Sequence, residues 1–79
     1  MVNASQIKEH VEVVGSDGKH VGTVDHMEGT DQIKLTRTDE DAGGQHHYIP
    51  LAWVSSIDDD RVRLDKPAAE AERSWRTAP

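Results

Sequence analysis

Between Val13 and Val24 the chain reads Val-Val-Gly-Ser-Asp-Gly-Lys-His-Val-Gly-Thr-Val, two β-branched runs joined across Asp17-Gly18. An Asp-Gly pair between apolar runs directs a tight hairpin, because glycine takes the positive φ of such a turn without a Cβ penalty. A β-hairpin is therefore expected near the N-terminus. Gly22, inside the second run, reads as a bulge or sharp bend, the device by which a short sheet curls towards a barrel.

The rest of the chain continues in short strands. Ser5 is placed to cap a helical turn, with Ile7 a plug onto the core. The first strand is expected over 10–14 and the second over 19–28, followed by a turn at Gly29-Thr30-Asp31. From Gln32 to Arg37 the pattern alternates, with Ile33 and Leu35 on one face and Lys34 and Thr36 on the other, as a half-buried antiparallel strand requires. The polar, glycine-rich segment 38–45 reads as the main loop and the most mobile part of the chain. A fourth strand over 46–50 ends at Pro50, which cannot donate to a ladder. Leu51, Val54 and Ile57 recur every third residue, the spacing of a 3₁₀ or α-helical turn that would plug the end of a barrel. Asp58-Asp59-Asp60 turns the chain into a last strand, 61–64, with Val62 and Leu64 inward.

Residues 67–76 differ in kind. Pro67 stands at a tolerated first-turn position, strong helix formers follow, and acids precede bases along the segment as the helix dipole favours. Ala68, Ala71, Glu72 and Trp75 share a face, which puts Trp75 against the barrel or against a second subunit. The fold expected is thus mainly β, a small and strongly bent antiparallel barrel of about five strands over residues 1–66, with a short C-terminal helix or tail over 67–79.

Size and charge limit what such a domain can do. A chain of 79 residues draws only about 3–5 kcal/mol from one core, which makes a second subunit the natural supplement. Without cysteine it has no disulfide, thiolate zinc site or thiol nucleophile, and it suits a reducing compartment. No signal peptide or membrane span is visible, so a cytoplasmic protein is expected. The net charge of −6, with nine Lys and Arg scattered among fifteen acids, argues against a nonspecific nucleic-acid binder, whose affinity comes from basic side chains displacing counterions.

Residues 13–25, the Ile33/Leu35 strand and Tyr48-Ile49-Pro50-Leu51-Ala52-Trp53-Val54 together resemble the PRC-barrel family. That family has a Gly-Lys-x-x-Gly-x-Val hairpin, a Tyr-Ile-Pro-Leu-x-x-Val element and a final strand. The resemblance spans roughly residues 7–65. The run Gly43-Gly44-Gln45-His46-His47-Tyr48-Ile49-Pro50-Leu51 is similar, more closely, to small stand-alone bacterial proteins carrying a domain of unknown function. PRC-barrel relatives include the cytoplasmic domain of the photosynthetic reaction-centre H subunit and the C-terminal domain of a ribosome maturation factor, which act in protein binding and assembly. The resemblance implies a small barrel and a binding role, and it transfers no active site.

Five histidines raise the question of a metal. His46 and His47 are neighbours in a strand and point to opposite faces, so a site would need a partner such as His20, His26 or Asp41 brought across the sheet. No spacing matches a known ligand motif. Asp39-Glu40-Asp41 and Asp58-Asp59-Asp60 lack the alternating ligands of a calcium loop and read as solvated turns. Ser16 lies in a hairpin turn rather than on a strand-to-helix elbow, and no Ser/His/Asp set can be assembled. No catalytic residue, metal ligand or cofactor is assigned. The remaining candidates are surface contacts: His46 and Tyr48, on one parity of their strand, with Trp53 and Trp75 as aromatic anchors of the kind enriched in interfaces. The expected function is a non-enzymatic interaction or self-association module, a homodimer that also takes an unidentified protein partner. The alternatives are small-ligand or metal binding through the His46/His47 region, and an accessory role in RNA processing.

Overall fold

The computed structural model describes residues 4–37, 43–58 and 60–77. Six strands form one mixed sheet: β1 (Glu12–Val14), β2 (His20–Glu28), β3 (Gln32–Leu35), β4 (His47–Pro50), β5 (Val54–Asp58) and β6 (Arg61–Leu64). Their order across the sheet is β4-β3-β2-β1-β6-β5. Among the described residues one α-helix, α1 (Ala68–Ser74), follows, and 3₁₀ turns occupy Ala4–Gln6 and Leu51–Trp53.

The expected hairpin is present. Gly18 has φ of 79° and its amide donates to the Gly15 carbonyl at 2.9 Å, while the Gly15 amide donates to Lys19 at 2.9 Å. Beside Gly22 the β1/β2 register slips, Val13 facing Gly22 and Val14 facing His20, so Val21 is the extra residue of a bulge. A Cβ on Gly22 would stand 3.1 Å from the Leu35 side chain, which identifies this as a place of close approach. Asp25 is a second extra residue, where Val24 faces Leu35 and His26 faces Lys34. Between these two irregularities β2 changes partners, pairing with β1 over its first half and with β3 over its second. The long strand thereby wraps the sheet around a single core of Val13, Val21, Val24, Ile33, Leu35, Ile49, Val62 and Leu64, with Ile7 and Leu51 at its margins.

Several expectations need correction. The sheet is not purely antiparallel: β1 runs parallel to β6, with Glu12, Val13 and Val14 facing Arg61, Val62 and Arg63. The strands number six and the sheet is open, since β4 and β5 are its two ends and are not paired with each other. The extra strand is β5, which takes over at Val54 after only one 3₁₀ turn, in place of a helical turn running to Ile57. Ser5 also lies within the first 3₁₀ turn rather than capping one, although Ile7 is buried as expected. Most of the expected 38–45 loop, with Asp39, Glu40 and Asp41, falls outside the described residues.

Helix α1 forms as expected and packs on the sheet through Ala68 and Ala71, both buried in the core. Its start rests on the hairpin. The Ser16 amide donates to the Lys66 carbonyl at 2.9 Å, and the Ala68 amide reaches the Asp17 carboxylate at 3.4 Å. No helix is long and apolar enough to cross a membrane, among the described residues.

Candidate functional site

The residues singled out from the sequence are distributed over three places. The first is the edge of β4. His47 is 7 % exposed and Tyr48 9 %, so β4 is covered on both faces. Helix α1 ends where the Trp75 amide donates to Ala71, and Trp75 itself is extended, with φ −68° and ψ 161°. Arg76 then pairs with Tyr48 in both directions, the Tyr48 amide donating to Arg76 at 2.7 Å and the Arg76 amide to Tyr48 at 3.1 Å. This is one hydrogen-bonded antiparallel pair added to the outside of β4. The Trp75 ring lies on the His47 imidazole, centroids 4.0 Å apart and planes 15° from parallel.

A His46/Tyr48 surface patch is therefore not formed, because Tyr48 is buried. His47, which the parity argument set aside, is the residue in contact with Trp75. Its Nδ1 is buried and, among the described residues, has no hydrogen-bond partner. Burial, and secondarily the neighbouring His46, pushes the His47 imidazole below the ordinary histidine value of 6.5. The neutral ring is the form this site accommodates.

The second place is the outer side of β2. The Asp25 bulge sets Asp25 and His26 close together, with His26 Nδ1 3.4 Å from the Asp25 carboxylate and His26 Nε2 3.6 Å from Glu28. His46 Nδ1 donates to the Leu35 carbonyl at 2.9 Å and lies 3.9 Å from Asp25. His46 and His26 thus both approach the Asp25 carboxylate. His46 Nδ1 is nevertheless committed to a backbone carbonyl, and among the described residues no group of three is arranged to hold a metal ion. His20 is elsewhere, bonded to Glu12 at 2.8 Å in a row completed by Arg61 at 3.2 Å from Glu12.

The third place surrounds the opposite end of the sheet. Trp53 is half-buried and packs against the core, with the Lys66 ammonium 4.3 Å over its ring. Beyond β6, strand β5 terminates the sheet, and beside it a cleft of about 270 Å³ is lined by Gln6, Lys8, Val11, Ile57 and Asp58. Val11 and Ile57 are the partly buried apolar walls and Lys8 and Asp58 supply opposite charges. Nothing in the local sequence marked this cleft. Its walls come from two distant stretches, 6–11 and 57–58, which the β1/β6 pairing brings together.

No curated protein matches the chain. A family match covers residues 7–72, from the plug residue Ile7 through the hairpin and the His-His-Tyr-Ile-Pro strand into α1. The chain belongs to DUF2171, a family of uncharacterized proteins conserved in bacteria.

Proposed function

We propose that this protein is a non-enzymatic interaction module that self-associates as a homodimer and, through the same end of the sheet, engages a protein partner. The observation that carries this reading is the terminal position of β5 beside the Val11/Ile57 cleft. A terminal strand offers backbone donors and acceptors to an added strand, and an adjacent apolar cleft can take one of that strand's side chains. Twofold pairing of β5 with β5 of a second copy would satisfy both chains at once. The need is physical, because one small core provides only about 3–5 kcal/mol.

Kinship with the PRC barrels is part of the proposal. The sharply bent β2, the Gly18-Lys19 hairpin with its bulge at Val21, and the Tyr48-to-Val54 element support it. The absence of cysteine supports a cytoplasmic home. A non-catalytic reading is supported by the setting of Ser16, whose amide and carbonyl are engaged by Lys66 and Arg63 as part of a tight structural turn.

Light scattering on the full chain at two concentrations tests the reading. The expected mass is twice the 8.8 kDa of one chain, returning to a single chain when Ser56, exposed on β5, is changed to Lys. A single-chain mass for the unaltered protein at both concentrations overturns self-association.

A further inference from the structure

We propose that residues Trp75 and Arg76 form a releasable clasp on the edge of β4, and that protonation of His47 is what opens it. This goes beyond self-association at β5, since it concerns the opposite end of the sheet.

The clasp is small. It consists of one ring stacked on His47 and one pair of backbone hydrogen bonds to Tyr48, at the very end of a seven-residue helix. On its inner side, by contrast, β4 is tied to β3 through four register pairs, Gln32 to Pro50, Ile33 to Ile49, Lys34 to Tyr48 and Leu35 to His47. A disturbance centred on His47 therefore has a weak side and a strong side. The outer contact yields first.

His47 is a built-in source of such a disturbance. In the closed state its Nδ1 is buried without an acceptor among the described residues, so a proton added there makes a desolvated charged donor with no bond to make. The charged groups around it do not relieve this. Just before β4, its neighbour His46 is a second imidazole, and the Asp25 carboxylate on β2 lies by His46, with His26 on its other side. On β3, the register partner of His47 is the apolar Leu35, and the nearest charge along that strand is Lys34, which is positive. On the covering segment, Arg76 is cationic, Arg73 stands in the last turn of α1, and Glu72 lies one turn before Trp75. Burial, and after it the neighbouring His46, both disfavour charge on the imidazole. A cation over the indole face does gain a cation–π attraction, which opposes release. That attraction cannot supply the missing acceptor at Nδ1, whereas lifting Trp75 admits water to the ring. Release therefore converts a buried, unpaired imidazolium into a hydrated one, and it uncovers the β4 edge at Tyr48.

The experiment follows Trp75 in the full chain carrying Trp53→Phe, which leaves Trp75 as the single indole. Indole fluorescence and the Trp75 ring signals in NMR are recorded from pH 8 to pH 5, alongside the His47 ring carbons and the amides of β1 and β6. The expected result is a step in the Trp75 signals with a midpoint below 6.5, coincident with the titration of His47, while the β1 and β6 amides hold their native shifts. Adding His47→Phe, which keeps a flat ring without a titrating nitrogen, is expected to abolish the step. Trp75 signals that stay unchanged to pH 5, a step that persists in His47→Phe, or a loss of the β1 and β6 amides in the same transition would each overturn the clasp. Should His47→Phe fail to fold, the coincidence of the His47 and Trp75 titrations in the parent chain decides alone.

Discussion

Asp17 and Ala68, fifty-one positions apart, meet at the start of α1, where the Asp17 carboxylate accepts a long hydrogen bond of 3.4 Å from the Ala68 amide. The residue that would cap the helix locally is Pro67, which has no side chain able to do so. The hairpin turn therefore supplies a cap from a distance. The same carboxylate oxygen also accepts from the Lys19 amide at 3.2 Å, so one side chain closes the turn and anchors the helix.

Replacing Asp17 by Ala is expected to loosen α1 and lower the melting temperature by a few degrees, with the hairpin amides less affected than those of Ala68 and Ala71 in hydrogen exchange. The effect has a pH signature. Partial desolvation raises the carboxyl, but the amides of Lys19, Ala68 and Asp17 itself, with the Lys19 charge, together hold it below the ordinary 3.8. A carboxyl depressed in the folded state contributes stability that is present above 3.8 and is lost as pH falls through the folded value. Melting curves of the parent and Asp17→Ala should accordingly converge in strong acid. Curves that stay equally far apart at every pH would refute the role assigned to the charge.

Gly15 is required by crowding rather than by its backbone angle. A Cβ there would collide with the Ala68 amide nitrogen and stand 2.9 Å from the Pro67 carbonyl carbon, both backbone atoms that cannot swing away. Gly15→Ala should cost about 2 kcal/mol, in the range of overpacked sites, measured as a lower urea midpoint. At Gly18 nothing lies within 4 Å of an added Cβ, and only its φ of 79° is at stake. Gly18→Ala should then cost roughly 1 kcal/mol and leave α1 in place.

His47 predicts the behaviour of the whole domain in mild acid. Its folded value lies below 6.5, so between that value and 6.5 the unfolded chain binds more protons, and stability rises with pH. The contribution is fully present above 6.5 and is lost as pH falls from there through the folded value. The urea midpoint should be lower at pH 5.5 than at pH 7.5. In His47→Phe this difference should shrink; an undiminished difference would assign the acid sensitivity to other groups.

Leu64 is wholly buried on β6, opposite Val54 on β5. Leu64→Ala should cost about 3 kcal/mol through lost contacts and the cavity left behind. In a domain of this size that is most of the available stability. The variant should be largely unfolded by circular dichroism at dilute concentration, whereas Ser55→Ala, which removes long hydroxyl bonds of 3.2 and 3.4 Å to the carbonyls of Arg63 and Leu64, should fold normally.

The local parts of the fold were legible because their causes are local. The turn at Gly15-Ser16-Asp17-Gly18 follows from glycine at positive φ and an aspartate that bonds two residues on. The inward alternation of Ile33 and Leu35, and of Val62 and Leu64, is the period of a strand with one face in the core. Where the reading went astray, the chain broke its own period. Leu51, Val54 and Ile57 recur every third residue because a 3₁₀ turn ends at Trp53 and a register slip between Val54 and Ser56 then adds one residue to β5. A bulge in a strand and a turn of helix leave the same apolar spacing in sequence.

The chemistry-bearing surface was decided by tertiary structure. Strand parity led to the expectation of His46 and His47 on opposite faces, but parity cannot say which face is covered. Trp75 and Arg76, nearly thirty positions later, settle that by stacking on His47 and pairing with Tyr48. The β5 cleft has the same origin, since Val11 and Ile57 become neighbours only when β1 runs parallel beside β6. Sequence by itself determined the elements whose energetics close within a few residues: turns, strand faces and the helix after Pro67. Contacts between distant segments depend on which pairing buries the shared core at the least loop entropy, a property of the whole chain that no single window contains.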